Sequence, residues 1–378
     1  MKISIGIEKY NSSHGGAEKY CWDLSHYLAE KGHQIDIICL KGVQPSNPRI
    51  QVHTIHPIKF PQFVRHAMYS LLHCYKARQL RDDLSIGLGN TFSMDLYQPH
   101  GGAHCAWAEK EILKYPKGMR KIMRLIRSIA PKNAVQRLLE IWSFRVTKPE
   151  VIAISKMVKY DIMHWFDYPE ERIHLVPNGI DTQRFSPRNI SYRTEIRKKY
   201  GLSDDDFVFI FVATNFRLKG YDVLLDACAK LKDLPFKILV VGPESTWIIM
   251  KATLMGLKHT FIFGGKINDL ERVYPACDCL VHPTFYDACS LVVLEALSSG
   301  LPVITTSSNG ASMYITNENG YVIAPGDPQS LAHAMRKEYE HPITNVKALT
   351  FQDDHVVFDR IEQIILEYIK KRKDMVCS

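Results

Sequence analysis

Two carboxylates, Asp287 and Glu295, stand in the stretch HPTFYDACSLVVLEALSSG that runs from His282 to Gly300. Glu295 is set among Val292, Val293, Leu294, Ala296 and Leu297, the pattern of a helix packed between a sheet and other helices. An ionised group there is costly unless paired or bonded, so Glu295 needs solvent, a structural Lys or Arg, or a ligand. A perturbed carboxylate in a cleft is a candidate for binding. In a fully helical segment the acids would lie roughly 12 Å apart, beyond the roughly 5 to 9.5 Å of a glycosidase pair. Hydrolysis across one shared water is therefore disfavoured.

Arg217 and Lys219, in Thr214-Asn-Phe-Arg217-Leu-Lys219-Gly220, follow an apolar run and precede a glycine. Either alone reads as an ordinary solvated side chain. Together, a planar fork and a point charge suit phosphate oxygens. The elements that must position these groups alternate regularly. Strands are expected at Phe207–Ala213, Lys237–Val241, Thr260–Phe263, Asp278–Val281 and Pro302–Thr305, with helices near 220–231, 246–256, 269–276, 290–299 and 327–340. That rhythm makes a parallel sheet covered on both faces, with ligands at the carboxyl ends of its strands. Gly242 follows the second strand end, where glycine admits a close ligand. Lys266 follows the third, and His282 ends the fourth.

The first half has the same α/β character: a strand at Lys2–Ile7, the pair Gly15-Gly16 opening a helix to about Lys31, and strands at Gln34–Leu40, Ile50–Ile55 and Leu84–Leu88. Amides at such a helix start can meet an anion. The full G-x-G-x-x-G fingerprint is absent, which counts against a dinucleotide oxidoreductase. His100 and His104 are four apart, but Gly101-Gly102 between them argues for a loop, and no Glu follows His100 as a zinc-protease pattern requires. Either histidine is equally readable as structural or functional. A strand at Val151–Ser155, a helix at 156–165, a strand near Arg172–Val176 and the turn Val176-Pro-Asn-Gly-Ile-Asp181 close this half.

Between Glu109 and Val146 the character changes. Lys117, Arg120, Lys121, Arg124 and Arg127 recur at spacings of one, three and four, with Met119, Ile122, Met123, Leu125, Ile126 and Ile129 interleaved and no acid in Lys114–Arg127. This predicts an amphipathic basic helix of the kind that lies on an anionic membrane. The competing readings are a solvated face over a packed one, and a nucleic-acid surface. The last lacks interleaved aromatics and any nucleic-acid motif.

The chain has 378 residues, 46% hydrophobic and 23% charged, enough for two domains. Its net charge of +8 implies an anionic partner. Nine cysteines without a C-x-x-C pair read as buried thiols. No run approaches a membrane span, and the opening residues read as a strand rather than a signal peptide. A cytoplasmic location is expected. Asp204-Asp205-Asp206 precede a strand in a polar turn and read as a solvated loop, not a metal site.

The run Asp287-Ala-Cys-Ser-Leu-Val-Val-Leu-Glu295-Ala resembles the E-x7-E segment of retaining glycosyltransferases of the GT-B fold, family four, with Asp in place of the first Glu. Gly15-Gly16, VPNGID, the Arg217/Lys219 pair and the Lys266 turn fall in that family's order, and a last helix from about Asp353 to Lys373 is similar to its C-terminal helix. The resemblance implies two Rossmann-like domains facing a central cleft. These are residues 1–180, acceptor side with a basic helical insert at about 109–146; residues 181–352, nucleotide-sugar side; and residues 353–378, a helix crossing back to the first domain. It implies a hexose transferred from a nucleotide-sugar, UDP-glucose or similar, without metal or other cofactor. Arg217 and Lys219 would meet the diphosphate, Glu295 the ribose and Asp287 the donor sugar. Amides at Ala288, Cys289 and Ser290, opening the helix, would add anion stabilisation, and Leu291 lies with them on the donor side. Gly15, Gly16, Gly242, Lys266 and His282 complete the donor side, and His100, with His104 second, shapes the acceptor pocket. The basic insert is similar to the lipopolysaccharide-core glucosyltransferase branch. A lipid-linked or core saccharide at the inner face of a bacterial membrane, with no nucleic acid, would then be the partner. An epimerase or phosphorylase, or a non-catalytic sugar- or nucleotide-binding module on the same fold, remains open to the sequence.

Overall fold

The computed structural model describes residues 1–12, 16–56, 62–89, 91, 94–344 and 346–377. The chain divides into two compact units, one of Met1–Glu109, Gly118–Asn178 and Asp354–Ser378, the other of Lys110–Lys117 and Gly179–Asp353.

The first unit carries strands β1 (Lys2–Gly6), β2 (Lys9–Tyr10), β3 (Gln34–Cys39), β4 (Lys41–Gly42), β5 (Ile50–Thr54), β6 (Leu84–Gly87), β7 (Leu96–Tyr97), β8 (Glu150–Ala153) and β9 (Ile173–Leu175). Its helices are α1 (Gly16–Glu30), α2 (Gln62–Leu80), α3 (His104–Glu111), α4 (Arg120–Ile129), α5 (Pro131–Trp142) and α6 (Lys156–Phe166); the last two residues of α3 count with the second unit. Seven strands make one parallel sheet in the order β5-β3-β1-β6-β7-β8-β9, and β2 pairs with β4 apart from it. Ile3, Ile5, Ile37, Ile86 and Ile152 are fully buried, which is why these strands read as apolar runs rather than alternations.

The second unit carries α7 (Arg193–Lys199), β10 (Phe207–Val212), α8 (Tyr221–Cys228), β11 (Phe236–Val241), α9 (Thr246–Leu254), β12 (Phe261–Gly265), α10 (Leu270–Val273), β13 (Cys279–His282), α11 (Leu291–Ser298), β14 (Val303–Thr306), β15 (Gly320–Ile323) and α12 (Pro328–Glu340). Its sheet is parallel throughout, in the order β12-β11-β10-β13-β14-β15. Local chemistry sets the helix starts. Ser155 Oγ accepts the Val158 amide at 3.2 Å, and the Asp327 carboxylate accepts the Gln329 and Ser330 amides ahead of Pro328. Each such cap contributes about 1 kcal/mol.

The final helix, α13 (Asp354–Cys377), belongs to the first unit. Its Val357, Phe358, Ile361, Ile364 and Ile365, spaced for one helical face, are buried in that unit's core. Tyr27 donates to Asp359, His33 meets Glu362 at 2.9 Å, and Tyr368 donates to Asp95 at 3.0 Å.

Three expectations need correcting. The basic insert is not wholly part of the first unit, because Leu113 packs against the second unit's core, close to Gly326, and draws Lys110–Lys117 with it. Nor does the basic helix include Lys117, which lies in a 3-10 turn, Lys117–Met119, before α4; Pro131, which has no amide to donate, starts α5 after an extended Ala130. The second unit runs from Gly179 rather than residue 181, since buried Ile180 donates its amide to Gln352 at 3.0 Å within that unit, and ends at Asp353. Strand β15 was not expected: Gly320 opens it where a Cβ would lie 2.0 Å from the Val303 carbonyl oxygen, so the strand begins on the residue type that sequence reading assigns to a turn.

Candidate active site

The turn after β10 holds Arg217 and Lys219, and the loop after β13 holds Asp287. Their proximity is fixed by tight backbone packing. Gly220, at φ +81°, sits where a Cβ would be 2.1 Å from the Pro283 carbonyl oxygen, so only glycine lets the two loops meet. The Lys219 ammonium donates to the Asp287 carboxylate. His282, fully buried at the end of β13, reaches the same carboxylate from 3.4 Å and the Ser290 hydroxyl from 3.3 Å. Burial pushes the Asp287 carboxyl up, but the Lys219 ammonium and the His282 contact outweigh it and hold Asp287 well below the usual carboxylate range. Burial also lowers His282, with Asp287 opposing, so its ring is neutral.

A second loop pins this one. The Asp287 amide donates to the Ser308 carbonyl at 2.9 Å, and the Gly310 amide to the Asp287 carbonyl at 2.8 Å. Asn309, fully buried, accepts the Ser290 amide at 3.2 Å and the Ala311 amide at 3.0 Å, and donates to Thr305 at 3.0 Å. Of the amides expected to face an anion at Ala288, Cys289 and Ser290, that of Ser290 is therefore already engaged. Sequence reading missed Asn309; the signal was Ser307-Ser308-Asn309-Gly310, a turn cluster directly after β14.

Glu295 lies on α11, which opens at Leu291, so Asp287 and Glu295 do not share one helix. Its hydrogen-bond partner is not a basic residue but Tyr274, whose hydroxyl donates at 2.9 Å. Burial pushes Glu295 up to about 7, with the Tyr274 bond and the Arg184 charge opposing. The sequence carried no sign of Tyr274, a residue of an ordinary 3-10 turn.

Arg217 is exposed, its guanidinium 5.2 Å from the centre of the Trp247 ring, and Lys251 lies 4.9 Å from the same ring. Trp247, at the start of α9, was likewise not singled out. Gly242 is not open for a ligand: a Cβ there would lie 2.1 Å from the Ala213 carbonyl oxygen and 2.7 Å from the Phe216 ring, so its freedom serves the packing of neighbouring turns. Lys266 follows β12, exposed. Asp206 accepts the Ser203 amide at 2.7 Å, which explains that acidic turn as a backbone cap.

In the first unit, Gly16 opens α1, while Gly15 lies outside the described residues. His100 and His104 line one cavity of about 470 Å³, with Glu18, Trp107, Lys132 and Glu140 among its other walls. Burial lowers His100 to about 4, its ring is 4.2 Å from that of Tyr20, and its Nε2 is buried without a hydrogen-bond partner among the described residues. His104, the first residue of α3, is lowered to about 4 by burial and by the Arg127 and Lys132 charges. The Glu140 carboxylate accepts the His104 amide at 2.6 Å and the Cys105 amide at 3.0 Å.

On α4 no residue is buried, and Ile122, Leu125 and Ile129 are 61%, 65% and 70% exposed. The apolar stripe is thus not packed beneath a solvated basic one. No helix among the described residues is long and apolar enough to cross a membrane.

Residues 14–184 match the family Glycosyltransferase Family 4, and residues 192–348 match Glycosyl transferases group 1. The chain is 27% identical over 350 residues to an uncharacterized glycosyltransferase of Methanocaldococcus jannaschii, covering 88% of this chain and 87% of that one. It is 25% identical over 352 residues to the lipopolysaccharide glucosyltransferase WaaG of Escherichia coli, covering 89% of each. A crystal structure of WaaG superposes with a TM-score of 0.79 over 96% of this chain and 99% of that one, at 20% identity. Anabaena HepE in complex with UDP-glucose does so at 0.68 and 18% identity, over 97% and 100%. Two parallel-sheet α/β units, two family matches that together take in most of the sequence and full-length relatives agree: the chain belongs to the glycosyltransferases of the GT-B type, a family 4 domain followed by a group 1 domain.

Proposed function

We propose that this glycosyltransferase moves a hexose from a nucleotide-sugar of the UDP-glucose class to a lipid-linked or lipopolysaccharide-core saccharide, with retention at the anomeric carbon. The observation that carries the donor side is the meeting of Lys219, Asp287 and His282 at the carboxyl ends of β10 and β13, with Arg217 on the same turn as Lys219. Arg217 and Lys219 take the donor diphosphate and neutralise it as it leaves, so transfer needs no metal ion. Lys219 then moves from Asp287 to the phosphate, or bridges both, and the Asp287 carboxylate accepts a donor-sugar hydroxyl. Glu295 takes the ribose hydroxyls in exchange for Tyr274. The cavity at His100 receives the acceptor, and the neutral imidazole holds a hydroxyl of the reacting sugars.

The name of the Escherichia coli relative supports the acceptor class, and the UDP-glucose complex of a fold relative supports the donor class. The exposed apolar stripe of α4 beside Arg120, Lys121, Arg124 and Arg127 supports peripheral attachment to an anionic membrane on its cytoplasmic side, where such an acceptor is held. Titration with UDP, followed by a panel of nucleotide-sugars assayed for transfer to a membrane extract, tests the proposal. Binding of UDP with release of sugar only when acceptor is present is the expected result. Donor interconversion without any acceptor would replace transfer by epimerisation.

A further inference from the structure

Three segments of the first unit converge on His100. Gln98, which follows β7, gives its amide to the Gly87 carbonyl at the end of β6 at 2.9 Å, and the Gln98 carbonyl accepts the His100 amide at 2.9 Å across Pro99. Those bonds fix the backbone of His100 and leave its side-chain torsions to packing. Gly101-Gly102 beyond it bring no side chain to steady the ring. The imidazole Nε2 is buried with no hydrogen-bond partner among the described residues, so no bond at that nitrogen orients the ring either. What the ring meets is Tyr20 of α1, edge-on at 61° with centroids 4.2 Å apart.

Tyr20 is itself held at both ends. The Gln98 side chain, 1% exposed, donates from Nε2 to the Tyr20 hydroxyl at 2.8 Å. The Phe358 ring of α13 stands edge-on to Tyr20 at 5.4 Å and tilted against Tyr27 at 5.5 Å. Tyr20 and Tyr27, seven apart, lie on one face of α1, so Phe358 backs both. Gln98 therefore acts on His100 twice, through the main chain and through Tyr20. Its Oε1 is buried without a hydrogen-bond partner among the described residues, a cost that an apolar side chain of the same size would not carry. An amide kept there for a single bond to Tyr20 serves orientation more than space-filling.

We infer that Tyr20 is a positioning residue for His100: clamped between Gln98 and Phe358, its ring sets the direction in which the imidazole meets a hydroxyl in the cavity. The inference rests on the reading of this cavity as the acceptor site. It also connects the last helix of the chain to the reacting sugars, because α13 reaches His100 through one intervening ring.

A double-variant cycle on the full chain tests this, with UDP-glucose as donor and a membrane extract as acceptor. His100→Gln is expected to lower kcat/KM for transfer, and Tyr20→Leu to lower it about tenfold, the worth of one aromatic pair. UDP affinity should stay at the parental value in both. Tyr20→Leu combined with His100→Gln should lose no more than His100→Gln alone, since a residue that acts only through another has nothing left to act on. Tyr20→Phe, which keeps the ring, should retain most of the transfer. Gln98→Met, close to the parental shape, should fall between Tyr20→Phe and Tyr20→Leu, and it covers the case in which Tyr20→Leu disturbs the docking of α13. In NMR spectra the His100 ring resonance, identified by its loss in His100→Gln, should move in Tyr20→Leu. Losses that multiply in the double variant, parental kcat/KM in Tyr20→Leu, or an unmoved His100 resonance overturn the positioning role and leave the acceptor reading standing. Parental kcat/KM in His100→Gln overturns the acceptor reading itself, and the positioning role with it.

Discussion

Lys219 and Asp287 form an ion pair, so the ammonium that suits the donor diphosphate rests on the carboxylate that suits the donor sugar. Both side chains are mostly buried, and removing one strands the other. Lys219→Met should lower stability by about 3 kcal/mol through the uncompensated Asp287 and weaken UDP binding as well. Asp287→Asn should instead release Lys219: UDP binds as well or somewhat better, and transfer falls by about a hundredfold or more. The double variant should recover most of the stability but not the transfer. Chemical denaturation and donor kinetics on the three proteins decide it; transfer at the parental rate in Asp287→Asn would reduce Asp287 to a loop-holding group.

Glu295 gives a pH signature of opposite sign for stability and for ligand. Its folded value, raised to about 7, exceeds the ordinary 4.5. The stability it contributes is therefore complete below about 4.5 and is lost as pH rises towards 7. A carboxylate that accepts ribose hydroxyls must be ionised, so UDP affinity should climb through an inflection near 7. Glu295→Gln should flatten both curves. Parallel curves in parent and variant would detach Glu295 from the nucleotide.

Arg217 tests the other half of the diphosphate site. Arg217→Ala should cost about 2 to 4 kcal/mol in kcat/KM for the donor, as preorganised charge donors do. Trp247→Ala removes the ring that orients the guanidinium, at about 0.5 to 1 kcal/mol, and should raise donor KM more than it lowers kcat, with Trp247→Phe in between. An unchanged KM in Trp247→Ala would mean that the stacked Arg217 is not the binding conformation.

Membrane attachment is separable from chemistry. Replacing Arg120, Lys121 and Arg124 by Gln should weaken binding to vesicles containing anionic lipid by about 1 kcal/mol per charge, and raised salt should mimic the change. Leu125→Asp should weaken binding even to neutral vesicles, because the stripe it interrupts is solvent-facing. Vesicle binding indifferent to all of these would leave α4 a solvated helix.

The sheet strands were legible because parallel strands buried on both faces read as unbroken apolar runs, as Phe207–Val212 does. The loops carrying Arg217, Lys219 and Asp287 were legible because their residue types are unusual after a strand end. The contacts between loops were not. Asn309 and Tyr274 act through single hydrogen bonds to Ser290 and Glu295, and neither periodicity nor composition marks a partner 19 or 21 positions away. Gly242 misled for the same reason, since a glycine required by the Ala213 carbonyl and one required by a ligand look alike in sequence.

The first unit is discontinuous: its core needs Val357, Phe358, Ile361, Ile364 and Ile365 from α13, whereas most of the second unit is the single run Gly179–Asp353. As the chain leaves the ribosome, the later-coded unit has its own core in hand before the earlier-coded one does, the reverse of the usual N-terminal-first order. Until α13 emerges, the nascent first unit offers an uncovered apolar seam along α1, and that interval is when chaperones have the most to hold.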